Sequence, residues 1–204
     1  MRIIILGATG GIGRLLISGA LERGHNVTAF VRAPQKINQT SPRLRVLGGD
    51  LYDLGQMTAA LSNSEAVLSA FGPATLSKTN LRRDFCRVLV RAMQAAEVRR
   101  VLYVSSALLF SDIGILAALL RSTLFRNMVE DQVNAEADLM QPDTEWTIVR
   151  PPRLLNKPPA GRIREAAGHL PKGIGVIARG DVANFMLDEI LNRRYVKQIV
   201  GICD

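Results

Sequence analysis

The sequence predicts an α/β fold, one doubly wound and mostly parallel sheet with helices on both faces. Three observations predict it. Short β-prone apolar runs alternate with stretches that are apolar at helical spacing. The first run, Ile3-Ile4-Ile5-Leu6, is continuously apolar, as in a strand covered on both faces. It opens directly into Gly7-Ala8-Thr9-Gly10-Gly11-Ile12-Gly13, a glycine loop of the kind that turns a strand into a helix.

The helix follows as Arg14 to Arg23, apolar on one face and stopped by Gly24, and Val27 to Val31 is the second strand. Strand, glycine loop, helix and strand together form a βαβ unit suited to a dinucleotide. A pyrophosphate is favoured where a helix begins, because unpaired N–H groups and the helix dipole both attract an anion. Gly7 allows the tight turn, Gly10 lets backbone approach phosphate without a Cβ between, and Gly13 lets the helix pack close to the strand. The spacing is GxxGxxG. The second strand ends at Arg32, where an NAD site ordinarily offers a carboxylate to the ribose. With Lys36 four residues on and Arg14 in the first helical turn, a guanidinium here suits a 2′-phosphate and predicts NADP(H) over NAD(H).

A polar segment from Ala33 to Pro42 leads to a third strand, Leu44 to Leu47, and then to Gly49-Asp50-Leu51. Asp53 is positioned to cap a helix running to about Leu61. Ala66 to Phe71 is the fourth strand, ended by Gly72-Pro73, where missing side chains let backbone approach a ribose. Ser77 to Glu97 is a long helix whose Leu81, Phe85, Val88, Leu89, Ala92 and Met93 face the core. Val101 to Val104 is the fifth strand and delivers Ser105-Ser106 at its carboxyl end, the edge where parallel sheets bind ligands. Leu108 to Leu124 is an apolar cover on the substrate side, Met128 to about Met140 a helix, and Trp146 to Val149 the sixth strand, ended by Pro151-Pro152. Lys157 to Gly175 is rich in glycine and proline, Ile174 to Ile177 is a candidate strand, Asp181 caps a last helix from Val182 to Leu191, and Gln198 to Ile202 is a final strand. Residues 1–204 thus form a single domain, with substrate-side loops mainly within 107–127 and 151–178.

Composition narrows the function. The hydrophobic fraction of 48% and charged fraction of 22% belong to a globular protein. No apolar run is long enough to span a membrane; the longest candidate, Ile113 to Leu120, stops at Arg121. With a core strand beginning at Arg2, no cleavable leader is expected, and the expected location is the cytoplasm. Cys86 and Cys203 have no metal-ligand spacing, so neither a zinc site nor a disulfide framework is indicated. A net charge of +8 favours anionic partners, yet the basic residues are dispersed and the aromatics few. The expected partner is a small anionic molecule, with neither nucleic acid nor membrane.

The motifs GATGGIG at 7–13, FVR at 30–32, GDL at 49–51, SSALL at 105–109, TIVRPPRL at 147–154 and GDVANFML at 180–187 occur in that order. Together they resemble an atypical short-chain dehydrogenase/reductase of the NAD(P)H-binding, NmrA-like group, with a Rossmann-type domain. The likeness is greatest to the flavin reductase/biliverdin-IXβ reductase family. The resemblance implies that Gly7, Thr9, Gly10, Ile12, Arg32, Asp50, Leu51, Gly72 and Ser106 line the NADPH site. It places Asp50 and Leu51 beside adenine, and Pro151, Pro152 and Arg153 near the nicotinamide. Gly11, Gly13, Ala70, Phe71 and Ser105 join the candidate cofactor residues by position, Ser106 is the candidate for orienting substrate or nicotinamide, and Leu108, Phe110 and Arg153 are the candidate substrate residues.

One departure bears on mechanism. The larger superfamily uses a Tyr-x-x-x-Lys pair for proton transfer. Here no tyrosine lies between Tyr103 and Tyr195, neither is followed by lysine at that spacing, and Gln132 stands near where related proteins place a basic residue. A conjugated acceptor such as a flavin or linear tetrapyrrole delocalises incoming charge and can take its proton from water. The expected function is therefore an NADPH-dependent reductase of a conjugated, anionic acceptor, with flavin as a candidate substrate. Arg153 and Arg121 are candidates for meeting its phosphate or propionate, and Arg153 stands where the biliverdin-IXβ family has histidine. The alternative is a non-catalytic NADP(H) redox sensor of the NmrA-like type.

Overall fold

The computed structural model describes residues 1–72, 75, 77–111, 114–172 and 175–204, with 115–117 described by their backbone. In chain order the elements are β1 (Arg2–Leu6), α1 (Gly11–Glu22), β2 (Asn26–Val31), β3 (Leu44–Gly48), α2 (Leu54–Leu61), β4 (Ala66–Ser69), α3 (Leu81–Ala95), β5 (Arg100–Val104), α4 (Ile115–Ser122) and α5 (Arg126–Leu139). They continue with β6 (Glu145–Arg150), β7 (Arg153–Leu155), β8 (Arg164–Ala167), β9 (Val176–Ala178), α6 (Arg179–Asn192) and β10 (Gln198–Cys203). Short 3-10 turns occupy Pro34–Lys36 and Ala107–Leu109.

Eight strands form one sheet in the order β3-β2-β1-β4-β5-β6-β10-β8, and β7 pairs with β9 separately. Every pairing in the large sheet is parallel except β8 on β10. The chain winds outward from β1 to β3, then returns to the centre and winds the other way from β4. The loops after β1 and β4 therefore part, and the crevice between them is the switch point where open α/β sheets bind ligands.

β1 shows why the sheet is covered on both sides. Ile3 and Ile5 pack with α1 and α6, through Leu16, Ile17, Val182 and Met186, whereas Ile4 and Leu6 pack with α2, α3 and α5, through Met57, Phe85, Leu89 and Leu139. Alternating side chains feed two separate cores, each excluding water from its own layer. The doubly wound α/β class and the Rossmann-type sheet are as the sequence predicts.

Several boundaries differ. The long helix begins at Leu81 rather than Ser77. Asp53 does cap α2, accepting from the Gln56 N–H at 2.8 Å. Asp181 caps nothing: α6 starts two residues earlier, with Ala178 in the N-cap position. The buried Asp181 carboxylate instead accepts from the N–H groups of Ala160 at 2.8 Å and Gly161 at 3.1 Å, tying down that loop. Pro73, Ile113 and Ile174 lie outside the described residues, and β9 runs from Val176. The strand β8 was not expected. It is a short edge strand, with Arg164 and Ala167 exposed, and so lacks an apolar pattern.

Candidate functional site

The glycine loop is shaped by backbone contacts. Gly7 has φ +74°, and the Gly10 N–H closes the turn onto its carbonyl at 3.0 Å. A Cβ on Gly7 would fall 2.6 Å from the Ala70 carbonyl oxygen, so bare backbone is what lets the β1 and β4 loops meet. Gly13 faces the loop rather than the crevice; a Cβ there would stand 2.2 Å from the Gly7 oxygen. At Gly72 a Cβ would meet nothing within 4 Å, and at Gly10 only the Gly7 oxygen at 3.3 Å. The loop is thus tight behind and open in front. In front, the N–H groups of Gly11, Ile12 and Gly13 form the first turn of α1, where a helix lacks its own acceptors.

Three cavities follow one another along the carboxyl ends of the strands. The first, about 250 Å³, is lined by Gly7, Thr9, Phe30, Val31, Arg32, Ala33, Lys36, Leu51 and Phe71. The second, about 270 Å³, takes up Phe71 again with Gly10, Gly11, Ile12, Ala70, Gly72, Ser105, Ser106, Met128, Gln132, Leu154, Arg82 and Arg179 among its walls. The third, about 470 Å³, shares Ser106 and is otherwise walled by Ala107, Leu108, Leu120, Phe125, Pro152, Arg153, Leu170 and Gly175. A cationic pocket, a glycine cradle and an apolar chamber therefore lie side by side, sharing Phe71 and Ser106 as walls.

Arg32 and Lys36 are exposed on the wall of the first cavity. Asp50 is not on that wall. Its Oδ1 accepts from the Tyr52 N–H at 3.0 Å and its own N–H donates to Gln56 Oε1 at 3.1 Å, so it shapes the turn that presents Leu51. Phe71 is fixed by stacking on Phe85, with centroids 4.3 Å apart. Arg14 reaches back to the Thr9 carbonyl, with Nε at 3.1 Å, and braces the loop from outside.

The two serines of the second cavity have different duties. Ser105 donates its hydroxyl proton to the buried carboxylate of Glu136, which also receives the Arg150 guanidinium, with Nε at 3.1 Å. Ser106 caps the following 3-10 turn by accepting from the Leu108 N–H at 3.3 Å. Toward the cavity Ser105 can only accept, whereas Ser106 keeps a proton to donate. Gln132 on α5 donates to the Tyr103 hydroxyl at 3.0 Å. Tyr103 is fully buried, and burial pushes its phenol well above the ordinary value. It is not on the cavity wall.

The expected substrate residues divide. Leu108, Pro152 and Arg153 line the third cavity, Arg153 at its exposed edge. Phe110 does not: it is buried beneath the Arg150 guanidinium, 4.8 Å from the ring centroid. Arg121 donates to the Phe110 carbonyl at 3.1 Å and thereby holds the segment in place. Pro151 lies behind the wall, its carbonyl accepting from the Ala107 N–H at 2.9 Å. Several wall residues are not among the sequence-based site residues, including Arg82, Met128, Phe125 and Leu170; the one that adds an uncompensated cation among the described residues is Arg179, at the start of α6. Its only sequence signal is a cation in a first helical turn, where the dipole disfavours one. Among the described residues no cluster of histidine, cysteine and carboxylates could hold a metal. No helix among the described residues is long and apolar enough to cross a membrane.

The geometry suits a dinucleotide, and comparison with known proteins agrees. The chain matches the family model described as NAD(P)H-binding over residues 7–193. It is 30% identical to the Bacillus subtilis protein YwnB over 190 residues, 89% of this chain and 84% of that protein. It is 32% identical over 117 residues to a Mycobacterium tuberculosis 3β-hydroxysteroid dehydrogenase/Δ5→4-isomerase, an alignment that spans 52% of this chain but 31% of that enzyme. Among solved structures, a Burkholderia pseudomallei protein designated as exported superimposes with a TM-score of 0.83 at 27% identity, over all of both chains. The chain therefore belongs to the NAD(P)H-binding family, and its fold and motifs fit those of the atypical short-chain dehydrogenases/reductases.

Proposed function

We infer that the chain is an NADPH-dependent reductase of a conjugated, anionic acceptor of flavin or linear-tetrapyrrole type. The observation that carries this inference is the third cavity. It is walled mainly by apolar residues, meets the glycine cradle at Ser106, and carries the cation Arg153 at its edge. A planar conjugated body fits such walls, and a peripheral phosphate or carboxylate fits that edge.

Reduced nicotinamide, when bound, supplies the hydride. The protein's own residues would hold and orient. Gly10, Gly11 and Ile12 offer backbone to the diphosphate, and Arg32 with Lys36 offers charge to a 2′-phosphate, which supports NADPH over NADH. Ser105, its proton given to Glu136, offers a lone pair to an amide N–H; Ser106 offers a proton to an acceptor oxygen or nitrogen. Tyr103 is sealed in the core and no tyrosine lines the three cavities among the described residues; a conjugated acceptor that draws its proton from water needs no phenol acid.

Steady-state NADPH oxidation with FMN, quinones and biliverdin isomers tests the proposal. Turnover is expected with FMN or a tetrapyrrole. Tight nucleotide binding with no turnover on any acceptor would instead establish a redox sensor, the role that the absent Tyr-x-x-x-Lys pair also fits.

A further inference from the structure

The Arg179 side chain lies across the opening turn of α1. Its Cδ and Nε stand 2.7 and 3.0 Å from the place a Cβ on Gly11 would occupy. Gly11 therefore does more than free the loop: its bare α-carbon is the slot through which the arginine stem passes. At the end of that stem, Nη1 donates to Asn156 Oδ1 at 2.5 Å. Arg179 is partly exposed and lines the second cavity together with Gly72 and Ser106.

Local electrostatics argue against a cation there. Gly11 stands by Arg179, Gly19 by Leu187 and Arg23 by Asp188, so α1 and α6 run side by side in the same direction. Their positive N-terminal ends meet at this cavity. Elsewhere the chain matches buried guanidinium to buried carboxylate: Arg82 with Asp131 at 3.4 Å, Arg100 with Glu189 at 3.3 Å, and Arg150 with Glu136. Arg179 forms no such ion pair among the described residues; a neutral amide is its partner. A cation in this place, with most of its five donors uncommitted, is suited to an anion that arrives from outside.

We propose that Arg179 is a phosphate ligand for the diphosphate of the dinucleotide, parked on Asn156 until that anion enters the cradle. This rests on the NADP(H) reading above and adds to it a second guanidinium, distinct in task from Arg32. Arg32 serves the 2′-phosphate and so coenzyme choice; Arg179 serves the diphosphate and so affinity for either coenzyme. The phosphate of an acceptor such as FMN is the other source of the same chemistry, and the test separates the two.

Calorimetric Kd values for NADP⁺, NAD⁺ and adenosine 2′-monophosphate, and the steady-state KM for FMN, are measured on the full chain and on Arg179→Ala, Asn156→Asp and the double variant. Loss of charge-assisted hydrogen bonds to a phosphate is expected to weaken NADP⁺ and NAD⁺ alike by about tenfold or more in Arg179→Ala. Affinity for adenosine 2′-monophosphate, which has no diphosphate, is expected to stay unchanged. Asn156→Asp, which supplies a competing carboxylate, is expected to weaken NADP⁺ in the presence of Arg179 and to add no further loss in the double variant. The melting temperature of Arg179→Ala should not fall, since a cation leaves the positive end of a helix. Unchanged NADP⁺ affinity in Arg179→Ala, or a defect confined to the KM for FMN, overturns the proposal and leaves the NADP(H) reading standing. A wild-type chain that binds neither coenzyme overturns both.

Discussion

The α-carbon of Gly13 faces the carbonyl oxygen of Gly7 so closely that a Cβ would lie 2.2 Å from it. The next atoms it would meet, Ala8 Cα at 2.6 Å and the Gly7 carbonyl carbon at 2.8 Å, are also backbone and cannot rotate away. Gly13→Ala should therefore displace α1 from β1 and cost about 3 kcal/mol by overpacking. Gly10→Ala, whose Cβ would meet only the Gly7 oxygen at a tight 3.3 Å, should cost less stability than Gly13→Ala while blocking the diphosphate cradle. Urea denaturation and NADPH titration of the two variants should separate a folding glycine from a binding one.

Coenzyme choice should follow Arg32. Its guanidinium is exposed on the wall of the first cavity beside Lys36, with Leu51 and Phe71 forming the apolar side. In Arg32→Ala the Kd for NADPH is expected to rise about tenfold while that for NADH is unchanged. Equal effects on both coenzymes would detach Arg32 from the 2′-phosphate.

Glu136 joins the serine edge of β5 to the end of β6. Its side chain is 3% exposed and that of its partner Arg150 is 11% exposed. Glu136→Gln removes the charge that compensates a nearly buried guanidinium and weakens the hold on Ser105. Breaking one side of a buried pair is expected to cost about 3–5 kcal/mol, readable as a lowered urea midpoint. Glu136→Asp, which keeps the charge, should retain more of that stability.

A lower pH should weaken the fold through His25. Burial, followed by the positive charges of the Met1 amino group and Arg23, holds its imidazole below the ordinary value of 6.5. The unfolded chain then binds the proton more readily than the folded one. The stability this group contributes is complete above pH 6.5 and is lost as the pH falls toward the folded value. Thermal melts across pH 5–7 should decline more steeply for the wild type than for His25→Gln.

These variants also mark what the sequence discloses. The glycine loop, the cationic end of β2 and the serine end of β5 were legible because each rests on local chain order: strand, then loop, then helix. Arg179 was not, because it comes from α6 and reaches the cradle only when α6 lies along α1. Phe110 stands in an apolar run with no periodicity to say which side faces the chamber, and the Arg150 guanidinium claims it for the core. Asp50 and Asp181 each sit where a carboxylate commonly binds a ligand or caps a helix. In the fold, Asp50 Oδ1 accepts from the Tyr52 N–H while the residue stays exposed, and the Asp181 carboxylate is taken up by the N–H groups of the Ala160-Gly161 loop. Edge strand β8 pairs antiparallel with β10 without an apolar pattern of its own, which composition does not reveal.

Arg153 tests the nature of the acceptor. Reversing its charge with Arg153→Glu is expected to raise the KM for FMN on the order of five- to tenfold, an exposed attraction being replaced by repulsion. A neutral quinone should keep its KM. If both acceptors suffer equally, the arginine shapes the chamber rather than attracting an anion.

Isothermal titration of the full chain with NADPH and with NADH bears most directly on the site itself. Saturable binding of NADPH, several-fold tighter than that of NADH, is what a glycine cradle flanked by Arg32 and Lys36 should give. No detectable heat from either nucleotide at millimolar concentration would contradict it.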